Sequence, residues 1–180
     1  INQGIFRHSA TMYFNGARNQ NISQSNFYSV RFGGGNYLKT LSGNITCAGD
    51  VVIDNATLDV SPANFSITLD NNWKNDSTGS FIARQGTVTI NGEYSYIYSG
   101  QGNQQYGTGT YLSNHLGTKS FYNLIINKNS NTYWVILRGN LTVQNNLMIN
   151  NCDLRQSHDP NTYGINNIYI GGDYINKGVF

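Results

Sequence analysis

Two related stretches decide the fold: GNITCAGDVVIDNATLDV from Gly43 to Val60, and GNLTVQNNLMINNCDLRQ from Gly139 to Gln156. In both copies apolar residues alternate with polar ones in short pairs, and Asn, Asp or Gly separates one pair from the next. Alternation with a period of two, interrupted by turn-forming residues, predicts short β-strands joined by tight corners. Such a segment cannot bury its own apolar face, so we expect it to stack on a neighbour like itself.

The two copies extend into two homologous units, residues 4–78 and 79–177, which we assign to one solenoid fragment spanning residues 1–180. Similar apolar pairs recur at intervals of about twenty residues, as from Ile45 to Ile67. This is about the number of residues that a triangular coil of three short strands needs. We therefore predict an all-β fold, a right-handed parallel β-helix of about eight coils, because parallel crossovers are overwhelmingly right-handed. Tandem β-sandwich domains are the alternative, which the hairpin signals Asn15-Gly16 and Asn91-Gly92 would suit.

Asn recurs at matching corners of the two units, as Asn44 and Asn140 and again as Asn55 and Asn151. Asn tolerates left-handed backbone angles, and its side chain can bond to the turn above it. We therefore expect stacked Asn residues to shape the corners of the coil.

Composition excludes several classes of function. Only 11% of the 180 residues are charged and the formal net charge is +2, too weak a basic excess to indicate nucleic-acid binding. No apolar run is long enough to span a membrane. Cys47 and Cys152 each stand where the other copy has a small apolar residue, so we interpret both as buried small hydrophobes.

The sequence offers no catalytic constellation, and we predict no catalytic residue, no metal site and no cofactor. Asp50 and Asp54 flank one strand and could form a weak Ca²⁺ site, but Asn146 and Asn150 replace them in the second unit. None of the three His residues has metal-ligand spacing to another His or to Cys. The chain is therefore interpreted as a protein that is not an enzyme.

One irregular stretch, residues 99–118, is inserted in the second unit and is rich in Tyr and Gly. Insertions in repeat proteins lie on one face, often the binding face, and Tyr rings suit sugars or protein partners. The candidate ligand-binding residues at this insertion are Tyr98, Gln104, Gln105, Tyr106, Tyr111 and Asn114. The alternative is that Tyr94, Tyr96 and Tyr98 form an ordinary strand and that the remainder is an unspecialised loop.

The run FYNLIINKNSNTYWVILRGNLTVQNNLMINNCDL, together with NNWKNDSTGSF and GTVTING, resembles the repeats of very large secreted surface proteins of the Bacteroidota. The resemblance covers nearly the whole chain. It implies an adhesin-like, extracellular or cell-surface protein exported by type IX secretion. In such bacteria Asp76-Ser77-Thr78 also resembles a short O-glycosylation signal, which makes Ser77 a candidate glycosylation site.

The expected function is that of a rigid rod that projects or binds, with surface glycans, proteins or neighbouring repeats of the same array as partners. The similar motifs INQGIF and INKGVF at the two ends suggest a piece cut from a longer array. They suit equally well the first alternative, a subunit of a self-assembling extracellular filament or sheath. The second alternative is a part of a carbohydrate-active β-helix enzyme whose site lies elsewhere.

Overall fold

The computed structural model describes residues 10–75, 78–93, 95–99, 120–130, 133–156 and 167–179. Every regular element in these ranges is a β-strand, as the alternating sequence pattern predicts. None of the described residues belongs to a helix that is long and apolar enough to cross a membrane.

The chain winds around three faces, and each level of the winding contributes one short strand to each face. The first face contains β1 (Thr11–Phe14), β4 (Ser29–Phe32), β7 (Val51–Ile53), β10 (Trp73–Asn75), β13 (Ser95–Ser99) and β16 (Trp134–Arg138). The second face contains β2 (Gln20–Ile22), β5 (Leu38–Leu41), β8 (Thr57–Asp59), β11 (Ser80–Ile82), β14 (Ser120–Phe121), β17 (Leu141–Val143) and β19 (Ile168–Ile170). The third face contains β3 (Ser25–Phe27), β6 (Ile45–Cys47), β9 (Ile67–Leu69), β12 (Thr87–Ile90), β15 (Asn123–Asn127) and β20 (Tyr174–Val179).

The long strand β18 (Leu147–Gln156) takes part in two faces. Its residues 147–150 pair with β15 and β20 on the third face, and its residues 153–156 pair with β16 on the first face. Counting both halves of β18, the first and third faces each hold seven strands, fewer than the eight coils that the repeats suggested.

Every pairing between described strands is parallel. This confirms the parallel β-helix, and the tandem β-sandwich is wrong because its hairpins would require antiparallel pairs. Asn91-Gly92, which suggested a hairpin, instead forms a corner in which Gly92 has a φ of 68°. A Cβ at Gly92 would collide with the backbone oxygen of Asp70 one level away, so the corner needs glycine.

One hydrophobic core runs through both sequence units, from Ile22 to Cys152. The residues that the alternation places inside the coil are all buried: Ile45, Cys47, Val51, Ile53 and Leu58 in the first copy, and Leu141, Val143, Leu147, Ile149 and Cys152 in the second. Both cysteines are free thiols inside this core, as predicted. Burial raises the pKa of the Cys47 thiol to about 12 and that of the Cys152 thiol to about 11.

The corners are built by Asn side chains, as the sequence indicates. Asn55 and Asn151, at matching positions, both adopt left-handed backbone angles, with φ of 50° and 49°. Other corner carboxamides accept a backbone N–H from the next level, at donor–acceptor distances of 2.9–3.0 Å: Asn19 from Leu38, Asn44 from Ser66, Asn64 from Gln85, Asn140 from Asn167, and Asn146 from Asp173. These bonds satisfy amides at the bends, where the strand ladders are interrupted.

The sequence repeat and the structural repeat differ in length. Aligned by sequence, β1 matches β12, β4 matches β15, and β6 matches β17, so the unit is eleven strands long. A level has three strands, and eleven is not a multiple of three. Each motif of the first unit therefore reappears in the second unit on a different face, as when Val51 and Ile53 of the first face match Leu147 and Ile149 of the third.

The second face is divided where the insertion enters. Its strands form a four-stranded sheet ending at β11 and a three-stranded sheet beginning at β14. The insertion joins β13 to β14, at the level where the second sheet begins. Beneath this division the rings of Trp73, Phe81 and Phe121 pack together, with centroids 4.8–6.1 Å apart. Aromatic packing joins the two halves of the core at this point.

We predict that Leu147→Ala lowers the unfolding free energy by about 2–5 kcal/mol, because it leaves a cavity between levels. Leu147 is buried and in register with Leu124 and Tyr174. Met148→Ala is the matched control, since its side chain is next along the strand and points outward. Chemical denaturation measures both changes, and equal losses would contradict the assignment of the inner side of β18.

Candidate functional site

The residues predicted from the insertion fall mainly outside the described ranges. This applies to Gln104, Gln105, Tyr106, Tyr111 and Asn114, and also to the glycosylation candidate Ser77. Tyr98 lies in β13, which shows that this part of the Tyr-rich stretch is a strand of the first face. Its backbone is in register with Lys74 on one side and Arg138 on the other.

Most of the described Asp side chains are held in ion pairs. Asp54 pairs with Arg31, and the Asp50, Asp59 and Asp153 carboxylates pair with Lys74, Arg84 and Arg155 at 2.7, 2.6 and 2.5 Å. Asp50 also accepts hydrogen bonds from the backbone and side chain of Asn72 one level away. These contacts give the four carboxylates structural roles. Asp50 and Asp54 do not share a partner, because Asp50 pairs with Lys74 and Asp54 pairs with Arg31.

Asp59 shows how such a pair organises a corner. It is 4% exposed, and both of its oxygens accept hydrogen bonds from the Arg84 guanidinium. This hydrogen bonding from Arg84 lowers the pKa of Asp59 against the opposing effect of burial, with a further contribution from the backbone N–H of Ser61. The pair ties the end of β8 to the segment after β11, so it acts as a clamp between levels.

An open cleft of about 550 Å³ lies at the corner where the third face meets the first. Its lining includes Tyr28, Asp50, Asp70, Asn71 and Glu93, which come from the same corner of successive levels. Tyr28 is half exposed and offers an aromatic surface at one end of the cleft. The arrangement can hydrogen-bond a polar ligand and stack against an apolar ring face.

The cleft does not assemble metal-binding chemistry in the described residues. No group of three or more His, Cys, Asp or Glu side chains within those ranges could hold a metal ion. Asp50, the carboxylate considered for a Ca²⁺ site, is already bound by Lys74 and Asn72.

A buried lysine holds the wall of this cleft in place. Lys128 is 2% exposed, and its ammonium donates to the backbone oxygen of Asn91 and to Ser95 Oγ, the latter at 2.7 Å. These acceptors flank Glu93, so Lys128 fixes the segment that carries this cleft residue. Burial lowers the pKa of Lys128 to about 8, although the charges of Cys152 and Asp70 act in the opposite direction.

Sequence reasoning did not find the cleft or Lys128. Lys128 directly follows the alternating strand FYNLIIN, in a polar run that is typical of a solvated corner. Its burial depends on which acceptors the next level presents, and a single sequence carries no signal for that.

Comparison of the chain with protein-family models, curated proteins and solved structures gave no significant match.

We predict that Lys128→Met changes how stability depends on pH. The folded pKa of about 8 lies below the ordinary value of 10.5, so the unfolded chain binds more protons between these two values. The contribution of Lys128 to stability therefore rises across this window, by at most about 1.4 kcal/mol per pH unit. The unfolding free energy of the native chain minus that of Lys128→Met should increase from pH 8 to pH 10.5.

The measurement is denaturant unfolding at a series of pH values. Lys177→Met, which removes a charge from an exposed residue, is the control. A difference between the native chain and Lys128→Met that stays constant across the window would show that the amine is not desolvated.

Proposed function

We propose that this chain is a non-enzymatic β-solenoid segment of a large extracellular or cell-surface adhesin-like protein, acting as a rigid rod that projects or binds. The observation that carries the proposal is the single core running through seven parallel levels. Successive levels of a parallel sheet lie about 4.8 Å apart, so the first and last are separated by about 30 Å.

Rigidity follows from how the levels are joined. Strand ladders connect each level to the next, and corner Asn side chains add bonds across the bends. Ion pairs between side chains of neighbouring levels, such as Arg84–Asp59, are a third type of connection. A structure of this kind holds whatever it carries at a defined distance and orientation, which is the mechanical requirement for display at a cell surface.

The adhesive part of the proposal is supported by the insertion and by the surface chemistry. The insertion interrupts the sequence repeat between β13 and β14, where the second face divides, and loops of this kind often carry function. Its Tyr, Gln and Asn residues suit glycans or proteins. Partners of this kind, or neighbouring repeats of the same array, are consistent with a sequence in which only 11% of the residues are charged.

The non-enzymatic part is supported by the use of the titratable groups. Four of the described Asp carboxylates are held in ion pairs. The groups with the largest pKa displacements are Cys47, Cys152 and Lys128, which are buried in the core or beneath a corner. None of these three side chains is accessible to a substrate, so we attribute their shifted pKa values to burial in the packed structure and not to catalysis.

We predict that replacing residues 99–118 with the short turn of the first unit leaves the fold intact and abolishes adhesion to cell surfaces. Beads coated with the native chain, the replaced variant or albumin would be compared for retention on cells under flow, after circular dichroism confirms folding. Retention equal to albumin for the native chain would overturn the adhesive function. Retention that survives the replacement would move the binding site away from the insertion.

We also predict no release of reducing or unsaturated ends when the purified chain is incubated with neutral or acidic polysaccharides, with or without Ca²⁺. Asp70→Asn and Glu93→Gln are the informative variants, because both residues line the cleft. Turnover that disappears with either variant would establish the carbohydrate-active alternative. Ordered filaments in electron micrographs of the native chain would establish the filament alternative.

A further inference from the structure

The outer surface of the third face carries a regular column of side chains along the axis of the stack. The strands pair without register shift from β3 to the first half of β18. At Thr46, Thr68, Thr89, Ile125 and Met148 the residues on both sides along the strand are buried, so these five side chains point outward. From the first level to the last the column reads Asn26, Thr46, Thr68, Thr89, Ile125, Met148 and Ile175.

The lower half of this column presents free hydroxyl groups. Thr46 is exposed, Thr68 and Thr89 are half-buried, and their hydroxyls make no hydrogen bond within the described part of the chain. Their spacing is that of the levels, about 4.8 Å. Each hydroxyl can both donate and accept, so the column offers repeated, evenly spaced hydrogen-bonding positions.

The upper half of the column is apolar. Ile125, Met148 and Ile175 are half-buried and follow Thr89 without interruption. The strip therefore combines hydroxyls with aliphatic surface along a single line. A pyranose chain has the same two chemistries, with hydroxyl groups at its edges and C–H groups on its ring faces.

The central column of this face differs in charge from the surfaces of the other two faces. The described ion pairs Arg31–Asp54, Lys74–Asp50 and Arg155–Asp153 involve the first face, and Arg84–Asp59 lies on the second. The central column of the third face contains no charged residue. A neutral ligand can bind there without desolvating an unpaired charge, whereas an anionic ligand would gain no ionic contact from the column.

The dimensions favour a narrow, elongated ligand over a second protein. The face is about 30 Å long and, across four residues of a strand, about 13 Å wide, giving about 400 Å². A stable protein interface buries about 800 Å² on each partner. A second copy of the chain would therefore obtain half of the contact it needs, whereas a single linear polymer fits the strip.

We propose that the outer column of the third face is a binding track for a neutral polysaccharide chain lying parallel to the axis of the solenoid. This inference rests on the proposed function and adds a site on the solenoid itself to the inserted loop. The cleft containing Tyr28 borders the track at the corner with the first face, where it can receive a sugar ring.

The test measures binding of soluble hydroxyethyl cellulose and dextran, with alginate as the anionic comparison, by calorimetry and by retardation in polysaccharide-containing gels. The test variant combines Thr46→Val, Thr68→Val and Thr89→Val, which remove the hydroxyls and keep the branched shape. The control combines Thr40→Val, Thr57→Val and Thr142→Val, outward threonines of the second face. A third variant, Thr68→Lys, places a charge at the centre of the Thr segment, and circular dichroism verifies the fold of each protein.

We expect the native chain, the control and the variant lacking residues 99–118 to bind a neutral polysaccharide, and the triple variant and Thr68→Lys to bind about tenfold more weakly. Equal binding by the triple variant and the control would overturn the track, as would preference for alginate. Self-association that only the third-face variants lose would assign the face to a second copy. A native chain that adheres to cells but binds no neutral polysaccharide would overturn the track alone, whereas loss of all adhesion would overturn the proposed function as well.

Discussion

In-register stacking of parallel strands is the constraint on which the rest of the structure depends. An inward residue such as Leu69 or Ile90 is covered by its equivalents in adjacent levels, so no level is stable alone. The same constraint explains the corners, where the carboxamide of Asn44 bonds the next level. It also explains Gly92, whose corner approaches the level beside it too closely for a side chain.

Two buried lysines show how the stack accommodates charge. The Lys39 side chain points into the core, is fully buried, and donates to the backbone oxygens of Gly16 and Arg18 and to Gln20 Oε1. Burial lowers its pKa, and the nearby charge of Arg18 lowers it further. Lys128 reaches similarly toward an adjacent corner. In both cases a long flexible side chain donates hydrogen bonds to backbone carbonyls at a corner. These hydrogen bonds offset part of the cost of desolvating the ammonium group.

The fold could be predicted from the sequence because its information is local: alternation fixes which side chains point inward, and Asn marks the bends, as at Asn55 and Asn151. The candidate surfaces could not be predicted from the sequence, because they depend on which residues of different levels become neighbours. Thr46, Thr68 and Thr89 are separated by about twenty residues each, and only the register of β6, β9 and β12 aligns them. The cleft likewise combines one corner residue from each of several levels. The Tyr-rich insertion remains a sequence-based prediction, with Tyr98 placed in a strand.

The mismatch between the eleven-strand sequence unit and the three-strand level has a geometric consequence for an array of such units. Each additional copy would present its motifs one third of the way around the axis from the copy before it, and three copies would restore the original orientation. Identical decorations would then trace a screw around the rod instead of a single stripe. A rod that displays the same chemistry toward every direction could engage a surface without first rotating to face it, and duplication of the gene segment alone would be enough to produce that property.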